Sequence, residues 1–246
     1  MKILVAVSKT PDTTAKIGFT DNNTRFDTNG VQFIMNPYDE WYSLVRALEI
    51  KEAQGGTVTV ISIGEADCDQ VIRKALAIGA DDAIRVDSAP LDAFFVAHEI
   101  AHHCQSGQYD LVFLGKESID YNGSEVGAMV AEILGWPFIS YANKLDLDGS
   151  KAIVNREVEG GVETVETSIP FVLSAAKDLA EQRIPNMRGI MMAKTKALNV
   201  VAPTGEKPRV GIAQYALPKE KSTVKLVDAD NMDELVRLLK EDAKIL

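Results

Sequence analysis

Histidine and cysteine are scarce in this chain, three and two among 246 residues. Cys68 and Cys104 stand far apart with no C-x-x-C spacing, which argues for two buried reduced thiols rather than a disulfide or a metal pair, and so for the cytoplasm. Long apolar runs are missing as well: no stretch of about 18 apolar residues offers a membrane span. The opening Met1-Lys2-Ile3-Leu4-Val5-Ala6-Val7 is too short for the apolar part of a signal peptide. It stops at Ser8-Lys9-Thr10-Pro11-Asp12, so a first strand is expected there. Basic charge is in deficit, with 26 Lys and Arg against 36 Asp and Glu and a formal net charge of -10. Nucleic acid and anionic lipid need a basic face, so neither is expected as a main partner, and no membrane insertion is expected. Neither G-x-x-x-x-G-K-[ST] nor a G-x-G-x-x-G after the first strand is present.

What is there is an ordinary globular composition, 46% hydrophobic and 25% charged, near the upper size for one domain. Apolar β-rich runs at 3–7, 57–63, 83–86 and 111–114 alternate with helical patterns at about 36–53, 66–78, 91–104 and 124–134. Asn36-Pro37 followed by Asp39 and Glu40 reads as an N-cap, a first-position proline and first-turn acids. This alternation predicts a three-layer α/β/α fold with a mainly parallel sheet. After Trp136-Pro137 the period drops to two, in 141–147, 153–159 and 162–168, joined by Asp148-Gly149 and Gly160-Gly161; this predicts an antiparallel hairpin extension. A buried strand is expected at 169–175. The chain then divides into a domain at 1–182, a loop with a short helix at 183–199, and a C-terminal arm at 200–246 that closes on a helix near 232–240.

Three segments carry candidate chemistry. His98-Glu99-Ile100-Ala101-His102 matches H-E-x-x-H, the zinc-hydrolase pattern. All three histidines sit at 98, 102 and 103, so a third ligand would have to be an acid such as Glu117, and the helix falls as a crossover within the α/β alternation; the match is read as chance. The second segment, Gly115-Lys116-Glu117-Ser118-Ile119-Asp120-Tyr121-Asn122-Gly123-Ser124-Glu125-Val126-Gly127, leaves the carboxyl end of a strand and enters a helix. That is where ligands collect in open α/β sheets, and backbone amides there can hold phosphate without a P-loop. Gly64-Glu65-Ala66 and Asn36-Pro37-Tyr38-Asp39 are weaker candidates for the same crevice. The third segment, Arg183 to Lys196, places three of seven methionines within 187–192 in a loop bounded by proline, glycine and cations. Polarizable, flexible methionines suit a surface that accepts more than one partner, the alternative being that Ile190, Met191 and Met192 fill the core.

Taken in order, these residues bring out a resemblance. Ile3–Val7 with Pro11-Asp12 and Lys16, Met35-Asn36-Pro37, and Arg73-Lys74-Ala75-Leu76-Ala77-Ile78-Gly79-Ala80-Asp81 begin it. Leu114-Gly115-Lys116 with Ser118-Ile119-Asp120, Arg156-Glu157-Val158-Glu159-Gly160-Gly161 and Ile190-Met191-Met192-Ala193-Lys194-Thr195-Lys196 complete it. Over nearly its whole length the chain resembles the small (beta) subunit of electron transfer flavoproteins. The resemblance implies a heterodimer whose larger alpha subunit holds the redox-active FAD and is embraced by the C-terminal arm. The small subunit would be a carrier component with no catalytic residue of its own. It would bury AMP at positions matching Ala6, Asn36, Pro37, Tyr38, Asp39 and Ile63 and along the loop from Gly115 to Val126. Thr13 matches a position that approaches the flavin. Arg183, Ile184, Met187, Ile190 and Met191 belong to the matching recognition loop for dehydrogenase partners, with Met187 where a leucine often anchors. Glu157 matches an acid that steers the flavin domain. The implied electron path runs from acyl-CoA dehydrogenases to a membrane quinone oxidoreductase. One departure stands out: many members carry Asn-Gln-Thr-Gly where this chain has Ser124-Glu125-Val126-Gly127. That change removes donors and adds negative charge near the expected phosphate. Bifurcating members, in which valine before the glycine is known, hold a second FAD in place of AMP and use NADH, so AMP and a second FAD both stay open. A stand-alone nucleotide-binding module resembling universal stress proteins is the remaining alternative.

Overall fold

The computed structural model describes residues 1–219 and 223–246, so three residues of the C-terminal arm, 220–222, lie outside the described residues. The chain forms two compact units, one of residues 1–17 and 27–213, the other of residues 18–26 and 214–246.

The first unit is built on a nine-stranded sheet. β1 (Lys2–Ala6) runs into a short strand β2 (Lys9–Pro11). In the second unit Phe19–Thr20 (β3) and Arg25–Phe26 (β4) form a two-stranded ribbon. Back in the first unit, β5 (Phe33–Met35) pairs antiparallel with β2, and α1 (Asp39–Gln54) leads to β6 (Thr57–Ile63). A short 3-10 turn at Ala66–Cys68 opens α2 (Asp69–Ile78), followed by β7 (Asp82–Val86), α3 (Ala93–Gly107) and β8 (Leu111–Gly115). Then come α4 (Val126–Leu134), β9 (Phe138–Asp148), β10 (Lys151–Val158), β11 (Gly161–Ser168) and β12 (Phe171–Ala175). The unit ends with α5 (Met187–Ala193) and β13 (Leu198–Val201), while α6 (Met232–Glu241) belongs to the second unit.

The strand order is β11-β10-β9-β12-β8-β1-β6-β7-β13. From β9 to β13 every neighbouring pair is parallel, and only β9–β10 and β10–β11 are antiparallel. Three-layer α/β/α architecture with an antiparallel hairpin extension is therefore the observed fold. Alternation along the strands explains the layers. Ile3, Val5, Val58, Val60, Leu111 and Phe113 share one core with Leu44 and Leu48 of α1 and Ile72 and Leu76 of α2. Leu4, Ile61, Val112 and Leu114 face the other way, against Phe95 and Ile100 of α3 and Val130 of α4. Each such fully buried side chain is worth about 1.5–3 kcal/mol over leaving it in water, which is why strands buried on both faces read as near-continuous apolar runs.

Three helix starts differ from expectation. α1 begins at Asp39 with Tyr38 as its N-cap at φ 66, so Asn36 does not cap it. The Asn36 side chain is fully buried and spends its donor and acceptor elsewhere, as described below. α4 begins at Val126 rather than at 124 because Asn122 and Ser124 take positive φ, 50 and 53, a conformation no α-helix contains. The segment after β6 is likewise a 3-10 turn before α2 rather than one helix from 66.

Candidate functional site

The chain builds β1, winds through β6 and β7 on one side, then returns to place β8 on the other side of β1. The order reverses between β1 and β8, and a switch point leaves a crevice at the carboxyl ends of those strands because the two crossovers diverge there. A crevice of about 430 Å³ occupies that place, within the usual range for small-molecule sites. Its walls come from the ends of β1 (Ala6 to Lys9), β6 (Ile63 to Glu65) and β8 (Leu114 to Ser118), and from the loop up to Gly127.

Specific side chains set these loops. Asn36 Nδ2 donates to Glu117 O at 3.0 Å, and Asn36 Oδ1 accepts from Ile119 N at 3.0 Å. One buried amide thus replaces two missing backbone bonds and pins the β8–α4 loop. Ser43 Oγ donates to Leu114 O at 2.5 Å, and Arg85 Nη1 donates to Gly64 O at 2.9 Å. Arg85 is itself held by Asp69 at 2.8 Å and Asp87 at 2.6 Å. Gly115 is required by closeness: a Cβ there would lie 2.9 Å from Glu40 Cγ and 3.0 Å from Glu40 N. Gly64 is required in the same way, by the Cys68 sulfur at 2.0 Å. Ser124 Oγ donates to Glu117 Oε2 at 3.0 Å, and the Lys116 ammonium lies 3.6 Å from Glu117 and over the Tyr141 ring.

The electrostatics are dominated by acids. Glu40 lines the crevice almost wholly buried, and its oxygens accept from Ser8 N at 2.7 Å and Ser8 Oγ at 2.6 Å. Burial outweighs those donors, and the carboxyl is pushed up to about 8. Asp39 is raised to about 6, chiefly by burial, with Lys116 opposing and Glu117 and Glu157 adding to the rise. The α4 N-terminus has no side-chain cap, and its first-turn residues Val126 and Gly127 line the crevice. An uncapped helix start presents free N–H groups and a partial positive charge, which suits an anion.

Of the sequence candidates, Ala6, Ile63, Gly115, Lys116, Glu117, Ser118, Asp120, Tyr121, Gly123, Ser124, Glu125 and Val126 line the crevice. Asn36, Pro37, Tyr38, Asp39, Ile119 and Asn122 adjoin those loops without lining it, and Thr13 stands exposed in the turn after β2. Sequence reasoning missed Ser8, Lys9 and Glu40, and the walls given by Pro90, Leu91 and residues 210–212. Ser8 and Lys9 follow β1 directly, so the strand-end rule that found the 115–127 loop was signal enough for them; Glu40 was read only as a first-turn acid.

The H-E-x-x-H residues lie on α3. Glu99 is fully buried and accepts from Thr204 N at 2.9 Å and Thr204 Oγ1 at 2.5 Å. Among the described residues no three His, Cys, Asp or Glu side chains are grouped to hold a metal. The methionine segment forms α5, capped by Asn186, whose side chain accepts from Gly189 N at 2.8 Å. Met187, Met191 and Ile184 are exposed at 74%, 68% and 82%, and Ile190 and Met192 are exposed as well, so this segment is not core filler. Ala193 is the residue that packs inward. Arg183 is engaged by Glu52 through two bonds, at 2.6 and 3.0 Å, on α1. Glu157 stands exposed on β10.

Fold and strand order place the chain in the doubly wound α/β class, with its crevice at the switch point where such folds hold ligands. Comparison with known proteins narrows this. A family profile described as "Electron transfer flavoprotein domain" matches residues 24–205. The beta subunit of electron transfer flavoprotein from Bacillus subtilis is 32% identical, with all of both chains covered. The human beta subunit is 33% identical over all of this chain and 99% of its own. The mitochondrial beta subunit of Arabidopsis thaliana is 35% identical, again with both chains covered in full. The chain belongs to the electron transfer flavoprotein beta-subunit family. Among the described residues no helix is long and apolar enough to cross a membrane.

Proposed function

We propose that this chain is the small subunit of a heterodimeric electron carrier, resident in the cytoplasm, whose alpha subunit holds the FAD. Electrons would pass from acyl-CoA dehydrogenases to a membrane quinone oxidoreductase, with bond-making chemistry left to those partners. The observation that carries this reading is the switch-point crevice in a chain of this family. Its donor set fits a nucleoside monophosphate: an uncapped α4 start for the phosphate, Lys116 beside it, and apolar Ala6, Ile63 and Val96 for a base. AMP held there is structural, tying together the loops after β1, β6 and β8. FAD, when bound by the partner subunit, supplies the electron-carrying chemistry. This chain supplies Thr13 toward that flavin, Glu157 as the acid that steers the flavin domain, and the exposed Ile184, Met187, Ile190 and Met191 as the docking face for donors.

A second reading keeps the same heterodimer but places a second FAD in the crevice, making it half of a bifurcating NADH-oxidising enzyme. Val126 before Gly127 favours it, since both line the crevice and valine at that place is known in bifurcating members. Nucleotide content of the complex, purified with its alpha subunit, separates the two by acid release and chromatography. One FAD and one AMP per pair supports the simple carrier. Two FAD and no AMP overturns it in favour of bifurcation, and a monodisperse monomer carrying ATP would sink both.

A further inference from the structure

The segment after β13 is fastened to α3 by two carboxylates. Glu99, on the buried face of the helix, accepts from both the backbone and the hydroxyl of Thr204. Its Oε2 is buried with no hydrogen-bond partner, an arrangement that costs stability and makes little sense for a loop of no consequence. Asp92 works in two directions. Its Oδ1 caps α3 by accepting from Phe95 N at 2.7 Å, while Oδ2 accepts from Arg209 N at 2.5 Å and Val210 N at 3.0 Å. Burial pushes this carboxyl up, but the three N–H donors and the Arg209 charge more than offset that and hold it below the usual range, so it remains an acceptor at neutral pH. Between the anchors, Gly205 at φ 92 turns the chain, and the Arg209 guanidinium lies over the Phe94 ring at 4.5 Å. The fastened segment delivers Val210, Gly211 and Ile212 to the crevice, whose lining also includes Leu91 and Val96. Val210 and Ile212 are exposed apolar groups at this place rather than core.

We propose that Asp92 and Glu99 are positioning residues that strap 204–212 across α3, so that Val210 and Ile212 form an apolar lip limiting escape of the ligand held in the crevice. The identity of that ligand as AMP rests on the reading above; the lip does not. Cys68 provides an independent gauge, because it lines the crevice whereas Cys104, also a free buried thiol, does not.

The test uses the full chain purified with its alpha subunit. Two rates are measured: exchange of bound AMP against labelled AMP, and alkylation of Cys68 located by mass spectrometry. Asp92→Ser keeps a good helix cap but has no second oxygen for the strap. Thr204→Val removes the hydroxyl donated to Glu99, and Thr204→Ser restores it. The first two are expected to speed both rates roughly tenfold, the scale of one charge-assisted hydrogen bond, with Thr204→Ser at the wild-type rate and Cys104 alkylation unchanged. Faster Cys68 alkylation in a protein that holds no AMP would keep the lip and sink the nucleotide reading. Wild-type rates in Asp92→Ser, despite rapid deuterium exchange at the Val210 amide, would overturn the lip. Equal acceleration at Cys104 would overturn it too, by showing general loosening of the fold.

Discussion

Glu40 shows how one side chain can couple the crevice to pH. Its carboxyl is raised from 4.5 to about 8, first by burial and then by the charge of Asp120, against donors from Ser8 and Asn36. A carboxyl whose folded value lies above its unfolded one holds its proton more tightly in the folded protein. Folding stability therefore falls as pH rises from about 4.5 to about 8 and is indifferent to this group outside that window. Asp39, raised to about 6, acts with the same sign over a lower range. Glu40→Gln removes one titration and leaves the other. Denaturant midpoints measured from pH 4 to 9 are expected to decline less in Glu40→Gln than in the wild type, with the two curves diverging from about pH 4.5 and running parallel again above about pH 8; curves parallel throughout would show that Glu40 titrates alike in the folded and unfolded protein. Gly115 gives a prediction at the same scale. Its missing Cβ is what lets β8 end against the first turn of α1, so Gly115→Ala must push backbone against the Glu40 backbone nitrogen. A loss of about 1–3 kcal/mol is expected, the ordinary cost of overpacking, read as a lower urea midpoint at unchanged slope.

At the scale of elements, α5 is mounted on α2. Arg73 Nη1 donates to Ala193 O and Lys196 O, each at 2.7 Å, and Lys196 Nζ donates back to Leu76 O at 2.9 Å. A Cβ on Gly189 would sit 2.4 Å from Ala77 O, so the two helices touch backbone to backbone there. Gly189→Ala is therefore expected to lift α5 and cost about 1–3 kcal/mol, whereas Met187→Ala, on the exposed side, should change the melting temperature hardly at all. Most of these elements were legible beforehand because their signals are local. The apolar runs of β1, β6, β8 and β12 and the glycine stops of α1, α2 and α4 need no partner to be read. Asn36 was misread for the opposite reason. Asparagine before proline and two acids is a good cap in isolation, and only the presence of Glu117 and Ile119, more than 80 positions along the chain, gives its amide better partners. The exposed placement of Met191 and Met192 was undecidable from composition, since methionine serves cores and surfaces alike. Glu40 and the 210–212 lip were missed because a buried acid and an isolated apolar pair announce nothing until the crossovers fold them onto the same crevice.

For the whole molecule, the proposed nucleotide binding and the proposed donor docking share a scaffold but no side chains. The crevice is lined by strand ends and by the loop entering α4, and no residue of α5 contributes to it. Substitutions with no shared partner usually add in free energy, whereas residues in one network do not. Met187→Ala should cut the rate of reduction by an acyl-CoA dehydrogenase roughly tenfold, the loss expected of an exposed apolar anchor at the centre of an interface, and leave AMP content untouched. Gly115→Ala should lower AMP content while the loaded fraction still accepts electrons at the wild-type rate. The double variant then shows both losses in full, the rate constants multiplying per loaded molecule. If reduction of the loaded fraction falls in Gly115→Ala, or if AMP content falls in Met187→Ala, nucleotide and docking are coupled through the scaffold, and the picture of a docking helix mounted independently of the nucleotide crevice is wrong.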